Sequence, residues 1–229
     1  MVSDNYGGLA AGNVPVVEQM IRVLVADDHP LLRSGLKQVL AQEPDLALAG
    51  EAEDSEQVLQ RVKDESWDVV ILDITMPGRG GLDVLREIRR FRPTLPVLVL
   101  SMHAEDQFAV RAIKAGASGY LSKINGTAEV VRAIRKVLTG KKYVSPSLAE
   151  TLANSLDSDN DRPPHEILSD REFQVFCKIA SGKTVSQIAA EISLSVKTIS
   201  TYRSRVLEKM NMRNNAEITR YAIQKGLVD

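Results

Sequence analysis

Between Arg22 and Gly140 the chain alternates short apolar runs with amphipathic stretches, five times over. The runs are Arg22–Ala26, Leu46–Ala52, Trp67–Ile74, Leu95–Leu100 and Ser118–Leu121. These read as strands, and the third, uniformly apolar over Val69–Leu72, reads as one buried on both faces. Between them, apolar residues recur at helical spacing. Leu31, Leu32, Leu36, Val39 and Leu40 follow Pro30, which suits the first turn of a helix. Further helices are predicted over Asp54–Lys63 and Gly81–Phe91, then up to Ala115 before Gly116, and over Thr127–Leu138 before Gly140. This alternation predicts an α/β domain with a five-stranded parallel sheet, right-handed crossovers and helices on both faces.

The third run places one carboxylate at a special point. Val69-Val70-Ile71-Leu72 leads into Asp73, and Met76-Pro77-Gly78 then turns the chain. Asp73 is therefore expected at the carboxyl end of a central strand, where open α/β sheets place their ligands. The other strand ends converge on it. Strand one brings Asp27 and Asp28, strand four brings Ser101, and strand five brings Lys123. Three carboxylates at one edge repel each other unless a cation sits among them, and hard oxygen donors suit Mg²⁺. A carboxylate can also attack phosphorus to give an aspartyl phosphate, with ammonium, hydroxyl and metal neutralising the transferred oxygens.

Past Gly140 the pattern changes. Residues 1–20 are small and polar and read as an extension. Residues 141–165 read as a linker holding a short helix over Ser147–Leu156 and a polar, Pro-ending run, Asp157–Pro164. Residues 166–229 show four helix starts and no strand pattern. Ser169–Glu172, Thr184–Gln187 and Asn214–Glu217 have capping-box spacing, and Ser195 caps a helix running to Met210. On that helix Ile199, Tyr202, Val206, Leu207 and Met210 share the inward side. Lys197, Thr201, Ser204 and Glu208 lie opposite, flanked by Thr198, Ser200 and Arg205, with Arg203 at the edge. From Lys197 to Arg213 there are 5 basic residues and 1 acid. A helix (Val185–Ile192), a tight turn and a second helix with small polar and basic groups outward form a groove-reading arrangement.

Residues 21–140 resemble the receiver domain of two-component response regulators, a flavodoxin-like fold. The resemblance rests on Asp27-Asp28, Leu72-Asp73 with Met76-Pro77-Gly78, Ser101, and Tyr120-Leu121-Ser122-Lys123. It implies that Asp73 is the phosphoacceptor for a sensor histidine kinase. It further implies that Asp28, Asp73 and the Thr75 carbonyl ligate Mg²⁺, with Asp27 acting through water. Ser101 and Lys123 would bind the phosphoryl group, and Tyr120 matches the aromatic switch position. Residues 166–229 resemble the LuxR-type helix-turn-helix of the NarL/FixJ family. There the matching runs are Leu168–Glu172, Gly182-Lys183-Thr184, Ile188-Ala189, Ser195–Ile199 and Leu207–Met210. Together they imply a transcription factor binding double-stranded promoter DNA, not a conventional enzyme.

Charge distribution agrees with two halves facing different partners. Residues 161–229 carry 11 Lys+Arg against 8 Asp+Glu, and residues 1–160 carry 18 against 22. No apolar run reaches membrane-span length, and no secretory leader is read, so a cytoplasmic location is expected. The single cysteine, Cys177, excludes an intramolecular disulfide. Two rival functions are weaker. Aspartyl-phosphate phosphohydrolases, by resemblance, carry a second acid two residues after the nucleophile, and Thr75 stands there. An RNA-binding regulator would need an aromatic stacking platform, which is not visible. One recognition helix reads few base pairs, so a homodimer is expected when the protein is phosphorylated, with the last helix, Asn214–Leu227, as its candidate surface in the DNA-binding half through Ile218, Ala222 and Ile223. Unphosphorylated protein is expected to be monomeric, with the Lys197–Arg205 face hindered.

Overall fold

The computed structural model describes residues 20–76, 79–101, 105–123, 127–154 and 163–228. Five parallel strands, β1 (Ile21–Ala26), β2 (Leu46–Ala52), β3 (Val69–Asp73), β4 (Val97–Ser101) and β5 (Gly119–Ser122), form one sheet in the order β2-β1-β3-β4-β5. The predicted strands three to five begin early by one or two residues. Ladder pairing starts later because residues such as Leu95 and Ser118 belong to the entering turns, where Leu95 N–H bonds the Arg92 carbonyl.

Alternation within each strand sends its apolar side chains to both faces of the sheet. Val23, Val25, Ile71, Leu98, Leu100 and Leu121 face α1 (Pro30–Leu40) and α5 (Thr127–Leu138). Leu24, Ala26, Val70, Leu72, Val97, Val99 and Tyr120 face the other way, toward α2 (Ser55–Asp64), α3 (Gly81–Phe91) and α4 (Glu105–Lys114). Both faces are covered, so every position in β3 is buried, Asp73 included. Gly81 opens α3 where a Cβ would stand 2.3 Å from the Ile74 Cα, so only glycine lets this helix start against the turn after β3.

The first part of the presumed linker belongs to the sheet edge. Tyr143 makes a parallel bridge to Gly119, its N–H bonds the Ser118 carbonyl, and its hydroxyl donates to Glu129 at 2.8 Å. α6 (Pro146–Asn154) then packs on α4. The rest of the polar run, 155–162, lies outside the described residues, as do the extension 1–19 and Pro77-Gly78.

The second half is all helical: α7 (Asp170–Ala180), α8 (Val185–Glu191), α9 (Val196–Lys209) and α10 (Asn215–Gln224). Complete capping boxes start α7 at Ser169 and α8 at Thr184, and Ser195 and Asn214 cap α9 and α10. Phe173, Phe176, Ile188, Ile199, Val206, Ile218 and Ala222 fill its core. Two of the three residues expected on the dimer surface are therefore not available to it. Ile218 and Ala222 are fully buried against their own domain, and of the three only Ile223 faces solvent. Among the described residues no helix is long and apolar enough to cross a membrane.

Candidate functional site

β1 and β3 are neighbours although β2 intervenes in sequence, so chain direction splits at their carboxyl ends and leaves a crevice there. Asp73 ends β3 with no exposed surface, and Asp27 follows β1 almost as deeply. Lys123, just past β5, places Nζ 2.7 Å from Asp27 Oδ2 and 2.8 Å from Asp73 Oδ2. Thr75 folds back on Asp73. Its N–H donates to Oδ1 at 2.8 Å, and its hydroxyl lies 2.7 and 2.8 Å from Oδ1 and Oδ2. Ser101 is buried at the end of β4, one residue past Leu100, the register partner of Asp73.

Burial and the neighbouring Asp27 charge raise the Asp73 pKa, outweighing the opposing pull of Lys123 and Thr75. Burial works against charged Lys123, yet Asp73 and Asp27 overcome it and hold its pKa above the ordinary value. Asp27, Asp28, His29 and Asp73 each offer a ligand atom, all within 4.8 Å of one another. Asp27 Oδ2 and Asp28 Oδ1 are buried oxygens with no hydrogen bond of good geometry, although the Lys123 ammonium lies 2.7 Å from the first and the His29 imidazole Nδ1 2.9 Å from the second. Converging hard oxygens short of donors fit a divalent cation such as Mg²⁺.

The second candidate surface is α9. Lys197, Ser200, Thr201, Ser204 and Arg205 are exposed, and Ile199 and Val206 on the opposite side are fully buried. Thr198 is half-buried, its hydroxyl 2.7 Å from that of Ser195. Arg203 is half-buried and its Nε donates to Asn215 at 2.7 Å. The turn from α8 passes through Ser193 at φ +52°, a left-handed residue that lets two short helices meet within a tight corner.

Residues 23–135 match the response regulator receiver domain, and residues 166–222 match the bacterial regulatory proteins of the luxR family. The response regulator GacA of Pseudomonas viridiflava is 39% identical over 92% of this chain and 99% of its own length. The chain is a LuxR-type response regulator. UvrY of Escherichia coli is 36% identical over 91% of this chain and 96% of its own. RcsB of Salmonella enterica serovar Typhimurium, solved bound to a promoter with the phosphomimetic BeF3-, is 26% identical. That likeness covers 88% of this chain and 97% of RcsB, with a TM-score of 0.56.

In this response regulator the two halves share one apolar cluster. Phe108 of α4 meets Phe173 of α7 with ring centroids 5.0 Å apart, and the Arg111 guanidinium lies 4.1 Å over the same ring. Arg111 also donates to the carbonyls of Leu168 and His165 at 2.8 and 2.7 Å and lies 3.3 Å from Asp170. Arg86 of α3 holds the other Asp170 oxygen at 2.6 Å. The receiver therefore docks on the start of α7, and the outward side chains of α9 remain exposed. This corrects the expectation of a hindered reading face. Tyr120, fully buried on β5, faces the same cluster as Phe108.

Sequence reasoning missed this seam and two residues at the acidic site. His29 Nδ1 lies 2.9 Å from both Asp27 and Asp28, and its place in an Asp-Asp-His run was the available signal. Arg33 bonds the Asp27 carbonyl at 2.7 Å. A basic residue in the first turn of α1, where the helix dipole disfavours it, was the clue there.

Proposed function

We propose that this protein is a cytoplasmic transcription factor switched by phosphorylation: a sensor histidine kinase phosphorylates Asp73, and the modified protein binds promoter DNA as a dimer. The observation that carries this reading is one buried carboxylate, held by Lys123 and Thr75 beside Asp27 and Asp28, in the same chain as an exposed basic recognition helix.

An Asp73 carboxylate oxygen attacks phosphorus while the P–N bond of the phosphohistidine donor breaks, leaving an acyl phosphate and a neutral imidazole once a proton is supplied to it. Lys123 Nζ already touches Asp73, so its charge is in place to pair with the transferred oxygens without reorganisation. The Ser101 hydroxyl, at the adjacent strand end, supplies a hydrogen bond to one of them. Asp27, Asp28, Asp73 and the Thr75 carbonyl would hold Mg²⁺, which when bound neutralises charge on the phosphoryl oxygens. Once phosphate occupies the crevice, the Thr75 hydroxyl and Lys123 lose or share their carboxylate contacts. α4 is the next element in the chain after Ser101, so rearrangement at Ser101 is expected to reach Phe108 and Arg111 and hence the seam with α7. Because the seam leaves the reading face uncovered, phosphorylation acts on domain placement and pairing of subunits. Lys197, Thr201 and Ser204 read base edges, Thr198 and Ser200 flank them, and Arg203 and Arg205 meet phosphates.

The test is a titration of promoter DNA with full-length protein, with and without beryllofluoride, alongside sedimentation. Tighter DNA binding and a doubled mass with beryllofluoride are expected. Equal affinity and equal mass in both states would reject the coupling.

A further inference from the structure

We propose that Arg33 is a positioning residue of the acidic site: its guanidinium fixes the Asp27–Asp28 peptide so that both carboxylates converge on Asp73. The inference deepens the phosphoacceptor reading given above and rests on it.

Arg33 stands in the first turn of α1, which has no acidic residue there to balance it. A cation at that end of a helix is disfavoured by the aligned peptide dipoles. Its side chain is nevertheless only 9% exposed, a burial that arginine accepts only when paired. The three donors it uses explain the burial. Nη1 donates to the Asp27 carbonyl at 2.7 Å, Nε to Glu51 at 2.9 Å and Nη2 to Glu53 at 2.5 Å.

The carbonyl contact matters most. Asp27 is one residue past the end of β1. Its N–H is held by the Ala52 carbonyl at 3.0 Å, but the ladder to β3 stops at the Ala26–Leu72 pair. The Asp27 carbonyl thus lies beyond the sheet, and Arg33 supplies its donor. That carbonyl belongs to the peptide joining Asp27 to Asp28. Rotation of this one plane would swing the following carboxylate away from Asp73 and loosen the other. Glu51 and Glu53, both anchored near the end of β2, offset the guanidinium charge. Arg33 can therefore orient the backbone without placing an unbalanced positive field beside the metal ligands. A lysine cannot reproduce the fork, because one ammonium cannot span three acceptors in fixed directions.

Groups that orient metal ligands typically change metal affinity about 10-fold or more when removed. The experiment measures Mg²⁺ binding by calorimetry on full-length wild type, Arg33→Met and Arg33→Lys, with thermal unfolding recorded without metal. Labelling of Asp73 by acetyl phosphate is followed against Mg²⁺ concentration. Arg33→Met should weaken Mg²⁺ binding about 10-fold. It should raise the Mg²⁺ needed for half-maximal labelling by the same factor, and Arg33→Lys should fall between. A folded Arg33→Met protein with wild-type Mg²⁺ affinity would overturn the proposal, whatever its melting temperature. Should Arg33→Met fail to fold, Arg33→Lys decides, and unchanged affinity there overturns it equally. A wild type that neither binds Mg²⁺ nor takes label would instead refute the phosphoacceptor reading itself.

Discussion

Replacing Arg111 with alanine should open the seam between receiver and DNA-binding domain while leaving both domains folded. Among the described residues, the hydrogen-bond partners of this side chain lie across the seam: the Leu168 and His165 carbonyls, and Asp170. Its stacking on Phe173 crosses the seam as well. The side chain is only 14% exposed, so solvent screening discounts these contacts little. Hydrogen bonds from a charged donor contribute about 1.5–3 kcal/mol each, and a partly desolvated cation–π contact about 1 kcal/mol. These terms are not additive, and Arg86 keeps its grip on Asp170 after the change. A net loss of about 2 kcal/mol in docking is therefore expected, roughly 30-fold in the docking equilibrium. Small-angle scattering should show a larger radius of gyration for Arg111→Ala. Hydrogen exchange should rise at the start of α7 and along α4, but not in β1, β3 or β4. Linkage adds a sharper consequence. If phosphorylation favours the undocked form, undocking must favour phosphorylation, so beryllofluoride affinity should rise in the variant. Unchanged scattering, exchange and beryllofluoride affinity would refute the role given to the seam.

Three further outcomes concern His165 and helix α9. Burial, with Arg111 nearby, lowers the His165 pKa to about 4, while the ring stays bonded to the Tyr221 hydroxyl at 2.9 Å. The unfolded chain then binds the extra proton between its ordinary pKa near 6.5 and about 4, so stability should fall as pH drops through that window. Between pH 7 and 5.5 the loss should be about 1 kcal/mol, and denaturant titrations of His165→Gln should lack this component. On α9, Arg205→Ala should weaken cognate and random DNA alike and reduce the salt slope by about one. Thr201→Ala should weaken the cognate site selectively by about 1 kcal/mol, and an unchanged sequence preference in competition binding would displace Thr201 from the reading face.

Much of this architecture was legible because its signals are local. Each buried strand announced itself by an apolar run, and each helix of the second domain by a capping residue within three positions of its start. The convergence on Asp73 was legible too, since parallel topology alone carries Asp27, Ser101 and Lys123 to one edge. What escaped was set by long-range packing. Arg111 and Asp170 are 59 residues apart, and nothing local marks either as a partner of the other. Ser169–Glu172 read as a helix cap, which it is, but Asp170 within it also anchors the seam. Ile218 and Ala222 looked available for dimerisation because helical spacing shows that residues share a face, not what covers that face. Tyr143 looked like linker because a single bridge to β5 leaves no periodic trace.

Asp73 is the residue proposed to carry the phosphoryl group. Intact-mass measurement of wild type and Asp73→Asn after incubation with acetyl phosphate and Mg²⁺ tests that assignment most directly. One added phosphoryl group is expected on wild type, located at Asp73 by peptide mapping after reductive trapping, with no addition to Asp73→Asn and loss of wild-type labelling with EDTA. Undiminished labelling of Asp73→Asn would contradict it.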